Sequence, residues 1–310
     1  LRQNRKRSDN VDFLAEEPAL SWSGGLRNCA TAESESDTVF RVRFWGVRGS
    51  LPVSGADFRQ YGGNTVCIEM QCGEHRLLFD AGSGLLPAGK SLLTEGISNF
   101  NLFFTHCHYD HIIGLPYFAP LFDARSTVEL WSGHMYGKMS TSEIVAEFIR
   151  PPWFPIEIDV CPAKMICKDF KSGDVLKPHP GIEIITGSLT HPGGAIGYRV
   201  QWGGRSVALI TDTEHEPGIL DPAVLSLIEG VDLFLYDTTY TDEEMPKHVG
   251  YGHSSWQHAI RLAKAANAKN VAFIHHSPLR TDAEIEAIDR QAASQFAGAF
   301  SAREGQTFNV

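Results

Sequence analysis

From Val39 onward, short runs of β-branched and aromatic residues alternate with clusters of turn-forming residues. Runs at 39–46, 65–72, 76–81, 101–105, 127–132, 164–170, 181–189, 195–202, 205–211, 231–237 and 270–274 predict eleven strands. The Gly203-Gly204 step between AIGYRVQW and RSVALIT signals a two-residue hairpin, so some pairing is antiparallel. Helical patterns are interleaved with the strands. One is expected around 141–149, and one begins at Asp221-Pro222, an N-cap followed by proline at the first helical position. Ser254 with Gln257 and Thr281 with Glu284 read as capping boxes that open two more. In the last, Ile285, Ile288, Ala292 and Phe296 recur at helical spacing and predict a face docked on a sheet. Strands and helices fall into two batches on either side of about residue 180. The pattern predicts an α/β fold, an αββα sandwich of two mixed sheets flanked by helices, with its working loops along one edge.

Residues 1–37 hold the Arg5-Lys6-Arg7 cluster and Ser/Thr-rich and acidic stretches but few aliphatic side chains, so a flexible tail is expected there and one domain over 38–310. Three basic residues are short for a nuclear or membrane address. No apolar run in the 310 residues is long enough to span a bilayer. The formal net charge of −10 is opposite in sign to the footprint of a protein that grips phosphate backbone, which disfavours extended nucleic acid. Six scattered cysteines (Cys29, Cys67, Cys72, Cys107, Cys161 and Cys167) lack the density of a secreted disulfide scaffold and fit a reducing cytoplasm. The Cys67/Cys72 and Cys161/Cys167 pairs miss the usual gaps of a structural zinc site.

The segment NLFFTHCHYDHIIGLP begins as a buried strand and then delivers His106, His108, Asp110 and His111 within six residues. Imidazole and carboxylate together suit zinc, iron or manganese. Four donors at one strand end exceed what one tetrahedral ion takes from so short a segment, which points to two metals.

This His-x-His-x-Asp-His pattern resembles the signature of the metallo-β-lactamase superfamily, and the resemblance extends over nearly all of residues 38–310. It implies that Asp80 in LLFDAG orders the metal-binding loop. It implies further that His191 in SLTHPGG, Asp212 in LITDTEH and His275 in FIHHSP complete the ligand set. His106, His108 and His191 would hold one divalent ion, and Asp110, His111 and His275 the other, with Asp212 between them. Alternation along a strand allows only one of His275 and His276 to face the site, and His276 takes a structural reading. YDTTYTDEEMPKHVGYGHSSWQHAIRLAKAA is similar to the ribonuclease Z-like phosphodiesterases, in which a Gly-His-Ser/Thr step opens a helix; this implies that His253 assists phosphate chemistry. FWGVRGSLPVSG and YGGNTVCIE resemble that branch's first strands, with glycine-rich turns that would bring Asn64 and neighbouring backbone near the site.

The chemistry expected is phosphodiester hydrolysis by hydroxide held between two metals, oriented by Asp110, with His253 protonating the leaving alcohol. Between His111 and His191 no Gly/Pro-rich basic arm of the kind that grips transfer RNA is legible, so the expected substrate is a small phosphodiester, a 3′,5′-cyclic nucleotide. Precursor transfer RNA is the alternative, and thioester or lactam hydrolysis a third. The resemblance implies a homodimer, without an apolar stripe to assign its interface, and no membrane partner. His215, three residues after Asp212, is expected either to line the cleft or to donate to phosphate; His75, His134, His179, His248 and His258 have no motif context. Trp153 and Phe154 in PPWFPI are either an apolar lip or a packed anchor.

Overall fold

A computed structural model describes residues 39–310. The expected tail at 1–37, with its basic cluster and Cys29, lies outside the described residues.

Among the described residues, fourteen strands form two seven-stranded sheets. The first comprises β1 (Phe40–Gly46), β2 (Cys67–Cys72), β3 (His75–Phe79), β4 (Asn99–Phe104), β5 (Thr127–Ser132) and β6 (Lys164–Asp169), with β14 (Thr307–Asn309) on the outer side of β1. The second comprises β7 (Val175–Leu176), β8 (Glu183–Leu189), β9 (Ala195–Trp202), β10 (Arg205–Ile210), β11 (Leu233–Asp237), β12 (Val271–Ile274) and β13 (Ala299–Ser301). Each sheet is antiparallel at one end and parallel at the other: β3, β4, β5 and β6 run parallel in the first, β10, β11, β12 and β13 in the second. The hairpin between β9 and β10 turns on Gly203 and Gly204, whose φ angles of 56° and 75° are those of the two-residue turn that matches strand twist.

Helices cover both outer faces, so the layer order is the αββα sandwich expected. They are α1 (Leu85–Thr94), the single turn α2 (Tyr109–Ile112), α3 (Thr141–Phe148), α4 (Pro222–Ile228), α5 (Trp256–Ala265) and α6 (Asp282–Gln295). Along β1, Phe40, Val42 and Phe44 enter the layer between the sheets, where they meet Phe79, Phe103, Tyr198, Leu209 and Ile274. Leu85, Ala88 and Leu92 of α1 pack beneath Phe100 and Leu102 of the first sheet; Leu227, Leu262 and Ala292, from α4, α5 and α6, pack beneath Phe234 and Phe273 of the second. Strands covered on both faces lose the alternation of half-buried ones, which is why β10 and β11 read as continuous apolar runs.

Caps set the helix starts. Asp221 accepts from Ala223 N–H at 2.8 Å ahead of Pro222, and Thr281 and Glu284 form the reciprocal box at the head of α6. One expected cap is displaced: α5 is capped by Ser255, which accepts from His258 N–H at 3.2 Å, whereas Ser254 is buried and donates to the Thr213 carbonyl at 2.6 Å. The five cysteines in the described residues are unpaired, and Cys67 and Cys72 face different apolar clusters, which removes any shared metal site. No helix among the described residues is long and apolar enough to cross a membrane.

Candidate metal centre

The carboxyl ends of β3, β4, β8, β10, β11 and β12 converge on one edge of the sandwich, and each is followed at once by a residue with a coordinating or hydrogen-bonding side chain. His106, His108 and His191 bring one nitrogen each to a common point, and Asp110, His111, Asp212 and His275 form a second such group. Asp212 faces both. Its Oδ2 lies 3.7 Å from Nε2 of His106 and of His191, and its Oδ1 lies 3.2 Å from His111 Nε2 and 3.3 Å from His275 Nε2. Asp110 Oδ2 stands 3.1 Å from His275 Nε2 and 3.3 Å from His111 Nε2.

The outer nitrogens explain why the inner ones point together. His111 Nδ1 is held by Asp80 at 2.9 Å, His106 Nδ1 lies 3.1 Å from Thr105 Oγ, His191 Nδ1 meets the Gly252 carbonyl at 2.8 Å, and His275 Nδ1 lies 2.9 Å from Thr239 Oγ. Such contacts fix ring orientation and leave Nε2 directed into the centre. The inner nitrogens of His106 and His111 are buried with no hydrogen-bond partner, and His108 Nδ1 stands 3.0 Å from His191 Nε2. Buried polar atoms are paired as a rule, so two such nitrogens facing shared carboxylates call for a ligand. An imidazole-rich set with shared carboxylates fits divalent transition-metal ions, zinc above all.

Electrostatics agree with that fit. Burial drives the imidazoles of His106, His108 and His191 below their ordinary range, towards the neutral form that ligates. At His111 burial opposes charge, but Asp212, Asp110 and Asp80 overcome it and push the imidazole up, so the carboxylates hold positive charge at this point. Burial works against ionisation of Asp110 and Asp212 too, yet the surrounding histidines bring both below the usual carboxylate range.

The backbone is bent to this purpose. Five residues other than glycine have positive φ among the described residues, and four of them are here: Ser50, Asp80, Asp212 and His275. Left-handed backbone costs an ordinary side chain roughly 1–3 kcal/mol, and such residues cluster at functional sites. Asp80 recovers part of this by accepting from Thr105 N–H at 2.7 Å, and Ser50 N–H donates to Asp110 Oδ2 at 2.7 Å. The preceding Gly49 must lack a side chain, since a Cβ there would lie 2.1 Å from the His275 ring.

His253, just ahead of α5, donates from Nδ1 to Oδ2 of Asp237 at 2.8 Å and lies 3.9 Å from Asp212. Burial disfavours its charge, but Asp237, then Asp212 and Asp110, push it up to about 9. Asp237, which ends β11, was not singled out in the sequence. It is fully buried and accepts from Thr239 N–H at 3.0 Å. The available signal was an aspartate directly after the apolar run LFLY, the same placement as Asp80 after LLF.

Other expected residues lie elsewhere. Asn64 does not reach the centre; it donates to Glu304 at 2.6 Å and accepts from Ser83 Oγ at 2.9 Å, and the close approach is made by Gly49 and Ser50 instead. His276 turns away and meets the Ala302 carbonyl at 3.2 Å. His215 bonds Ser254 Oγ and stacks on His258 at 3.6 Å, while His75 stacks on His179 at 3.9 Å. His134 bonds Ser132 Oγ, and His248 stacks on Tyr240. Trp153 is 77% exposed, whereas Phe154 packs edge-on to Tyr117.

Above the clusters is a cleft of about 430 Å³ lined by Ser50, Cys107, Tyr109, Tyr251 and His253 together with the inward-facing ligand-type residues. Glu214 secures one wall, accepting from Gly250 and Gly252 N–H at 2.8 Å.

Residues 75–276 match the family model described as a beta-lactamase superfamily domain. The chain is 23% identical to the ribonuclease Z of Natronomonas pharaonis over 318 residues, which cover 87% of this chain and 97% of that one. Among solved structures it is similar to the metallo-beta-lactamase fold protein YhfI from Bacillus subtilis (TM-score 0.67, 18% identity, covering 87% and 99% of the two chains). It is also similar to a diphosphatase from the PhnP family (TM-score 0.64, 20% identity, 87% and 98% covered).

Proposed function

Since the chain belongs to the β-lactamase superfamily, where it is ribonuclease Z-like and a metal-dependent hydrolase acting on phosphodiesters, we propose that its substrate is a small phosphodiester, a 3′,5′-cyclic nucleotide opened to a nucleoside monophosphate. The observation that carries this reading is the pairing of two clusters through Asp212 with the Asp237–His253 dyad, all beside one cleft of about 430 Å³. That volume suits a small ligand, in the range of about 300–1,000 Å³.

His106, His108 and His191 would hold one ion, and Asp110, His111 and His275 a second, with Asp212 reaching both; two per chain is our reading, zinc first, with manganese or iron accepted by the same donors. When bound, such a pair supplies Lewis acidity towards phosphoryl oxygens and water. The chain's own groups do the rest. Asp80 and Thr239 keep His111 and His275 oriented, and Asp110, fixed by Ser50 N–H, orients the attacking water. His253 keeps Nδ1 on Asp237, so Nε2 is free to deliver a proton to the departing alkoxide. A group pushed up to about 9 carries that proton at neutral pH.

The small substrate is favoured by the net charge of −10 and by the path between His111 and His191, which builds β5, α3, β6, β7 and β8 into the sandwich and leaves no projecting arm among the described residues. A cytoplasmic setting, with no membrane and with a homodimer as the assembly, belongs to the same reading. Precursor transfer RNA is the second reading, supported by the match to ribonuclease Z along almost its whole length. The test is turnover by metal-quantified protein of cyclic AMP, cyclic GMP, bis(p-nitrophenyl) phosphate, precursor transfer RNA, nitrocefin and S-lactoylglutathione. Opening of a cyclic nucleotide is expected. Trimming of the RNA with no opening of either ring would overturn the cyclic-nucleotide reading, and activity confined to the last two would overturn phosphodiester hydrolysis.

A further inference from the structure

A second pocket, of about 500 Å³, adjoins the cleft and shares Ser50, Tyr251 and His253 with it. Neither ligand cluster uses its remaining walls. On one side Tyr240 and His248 are stacked, with centroids 4.1 Å apart and planes within 15°, and Tyr251 meets the His248 ring edge-on at 5.4 Å. Leu279 and Tyr251 line the same pocket at 86% and 59% exposure, large apolar surfaces left open among the described residues. At the polar end Arg280 pairs with Glu244 at 2.6 Å, and the Arg280 Nε is buried without a hydrogen-bond partner.

These features specify the occupant. Aromatic walls favour a flat ring that can stack, which an acyl chain or a sugar does not supply. An acyl chain would also desolvate the Arg280–Glu244 pair with no compensating hydrogen bond. A nucleobase has a face for the exposed Tyr251 ring and edge donors for the Glu244 carboxylate. The connection through Ser50, Tyr251 and His253 means that one molecule can have its phosphate at the clusters and its base in this pocket.

We propose that this pocket is the base-binding subsite of a mononucleotide, with Tyr251 and Leu279 as its apolar walls and Arg280 with Glu244 as its polar end. This rests on the phosphodiesterase reading for the placement of the phosphate. Stacking of a base on an aromatic side chain is worth about 1–3 kcal/mol, or roughly 5- to 150-fold in affinity.

Calorimetric titration of metal-loaded protein with GMP, AMP and ribose 5-phosphate tests the proposal without reference to turnover. Both nucleotides are expected to bind at least about 5-fold tighter than ribose 5-phosphate. Leu279→Ala, in a wall that the cleft does not share, is expected to reduce that advantage while ribose 5-phosphate binds as before, and Tyr251→Phe to retain it. Equal affinity for all three ligands in the unaltered protein, or the same loss for all three in Leu279→Ala, overturns the subsite. Turnover of bis(p-nitrophenyl) phosphate is measured separately. A base preference without turnover would leave the subsite standing and remove the hydrolytic reading; turnover without a base preference would do the reverse.

Discussion

Asp212 presents one oxygen to each cluster, so its removal takes a donor from both at once. Asp212→Ala is expected to lower bound metal from two ions to one or fewer per chain by elemental analysis, and to cost several kcal/mol in the barrier to turnover, about the scale of a lost metal contribution. Near wild-type turnover would refute the assignment. His253→Ala differs, since His253 bonds Asp237 and lies outside the two groups proposed to hold the ions: metal content is expected to survive. Turnover of substrates with poor leaving groups should fall by about 10²- to 10⁴-fold. A nitrophenyl ester, whose leaving group needs little protonation, should suffer less, and equal losses on both would remove the acid role. The converging residues were legible because each follows an apolar strand and has a metal-ligand side chain. Asp237 escaped because an aspartate beside threonines also reads as a turn; only its burial and its 2.8 Å contact with His253 distinguish it.

At the scale of elements, the caps give the sharpest expectation. Thr281→Ala breaks the reciprocal bonding at the head of α6 and should cost about 0.5–2 kcal/mol. In urea the unfolding midpoint should fall while its slope and the metal content stay unchanged; a loss of metal would mean that α6 supports the centre and not merely the domain. All eleven predicted strands form, because β-branched runs bounded by turns are a local signal. Helix α1 escaped prediction, since LLPAGKSLLT contains a proline and a glycine. Pro87 is tolerated in its first turn, where the backbone N–H has no partner within the helix. The two-residue β7 and the three-residue β13 and β14 are too short to show any period and exist through their partners. Ser254-x-x-Gln257 has the box spacing, but the Ser254 hydroxyl is buried against Thr213 and Tyr236, which leaves the cap to Ser255.

The whole molecule responds to acid through histidines kept neutral inside it. Burial, then the stacked His215 and Arg261, drive His258 down to about 3 from an ordinary 6.5. Unfolded chains therefore bind this proton first as pH falls, and stability should be lost progressively from about pH 6.5 towards pH 3, by up to about 1.4 kcal/mol per pH unit for one such residue. Urea midpoints between pH 7 and pH 5 check this. The decline should be shallower in His258→Gln, a comparison that subtracts acid release of metal common to both proteins; an equal slope would refute it. At this scale two batches of strands were legible, but their exact membership was not, because β14 leaves the second batch and joins the first sheet.

That last strand bears on how the domain is made. β1 is paired with β2 on one side and with β14 on the other, Arg41 opposite Asn309, and Val310 N–H donates to the Phe40 carbonyl at 2.9 Å. A nascent chain emerges from the ribosome with β1 first and β14 some 260 residues later, an interval that follows from their numbering. Until β14 has emerged, the outer edge of β1 is an open row of backbone donors and acceptors, the kind of edge that recruits foreign strands. The first sheet therefore cannot be completed until β14 has been made, and the outer edge of β1 becomes protected only when that strand pairs with it.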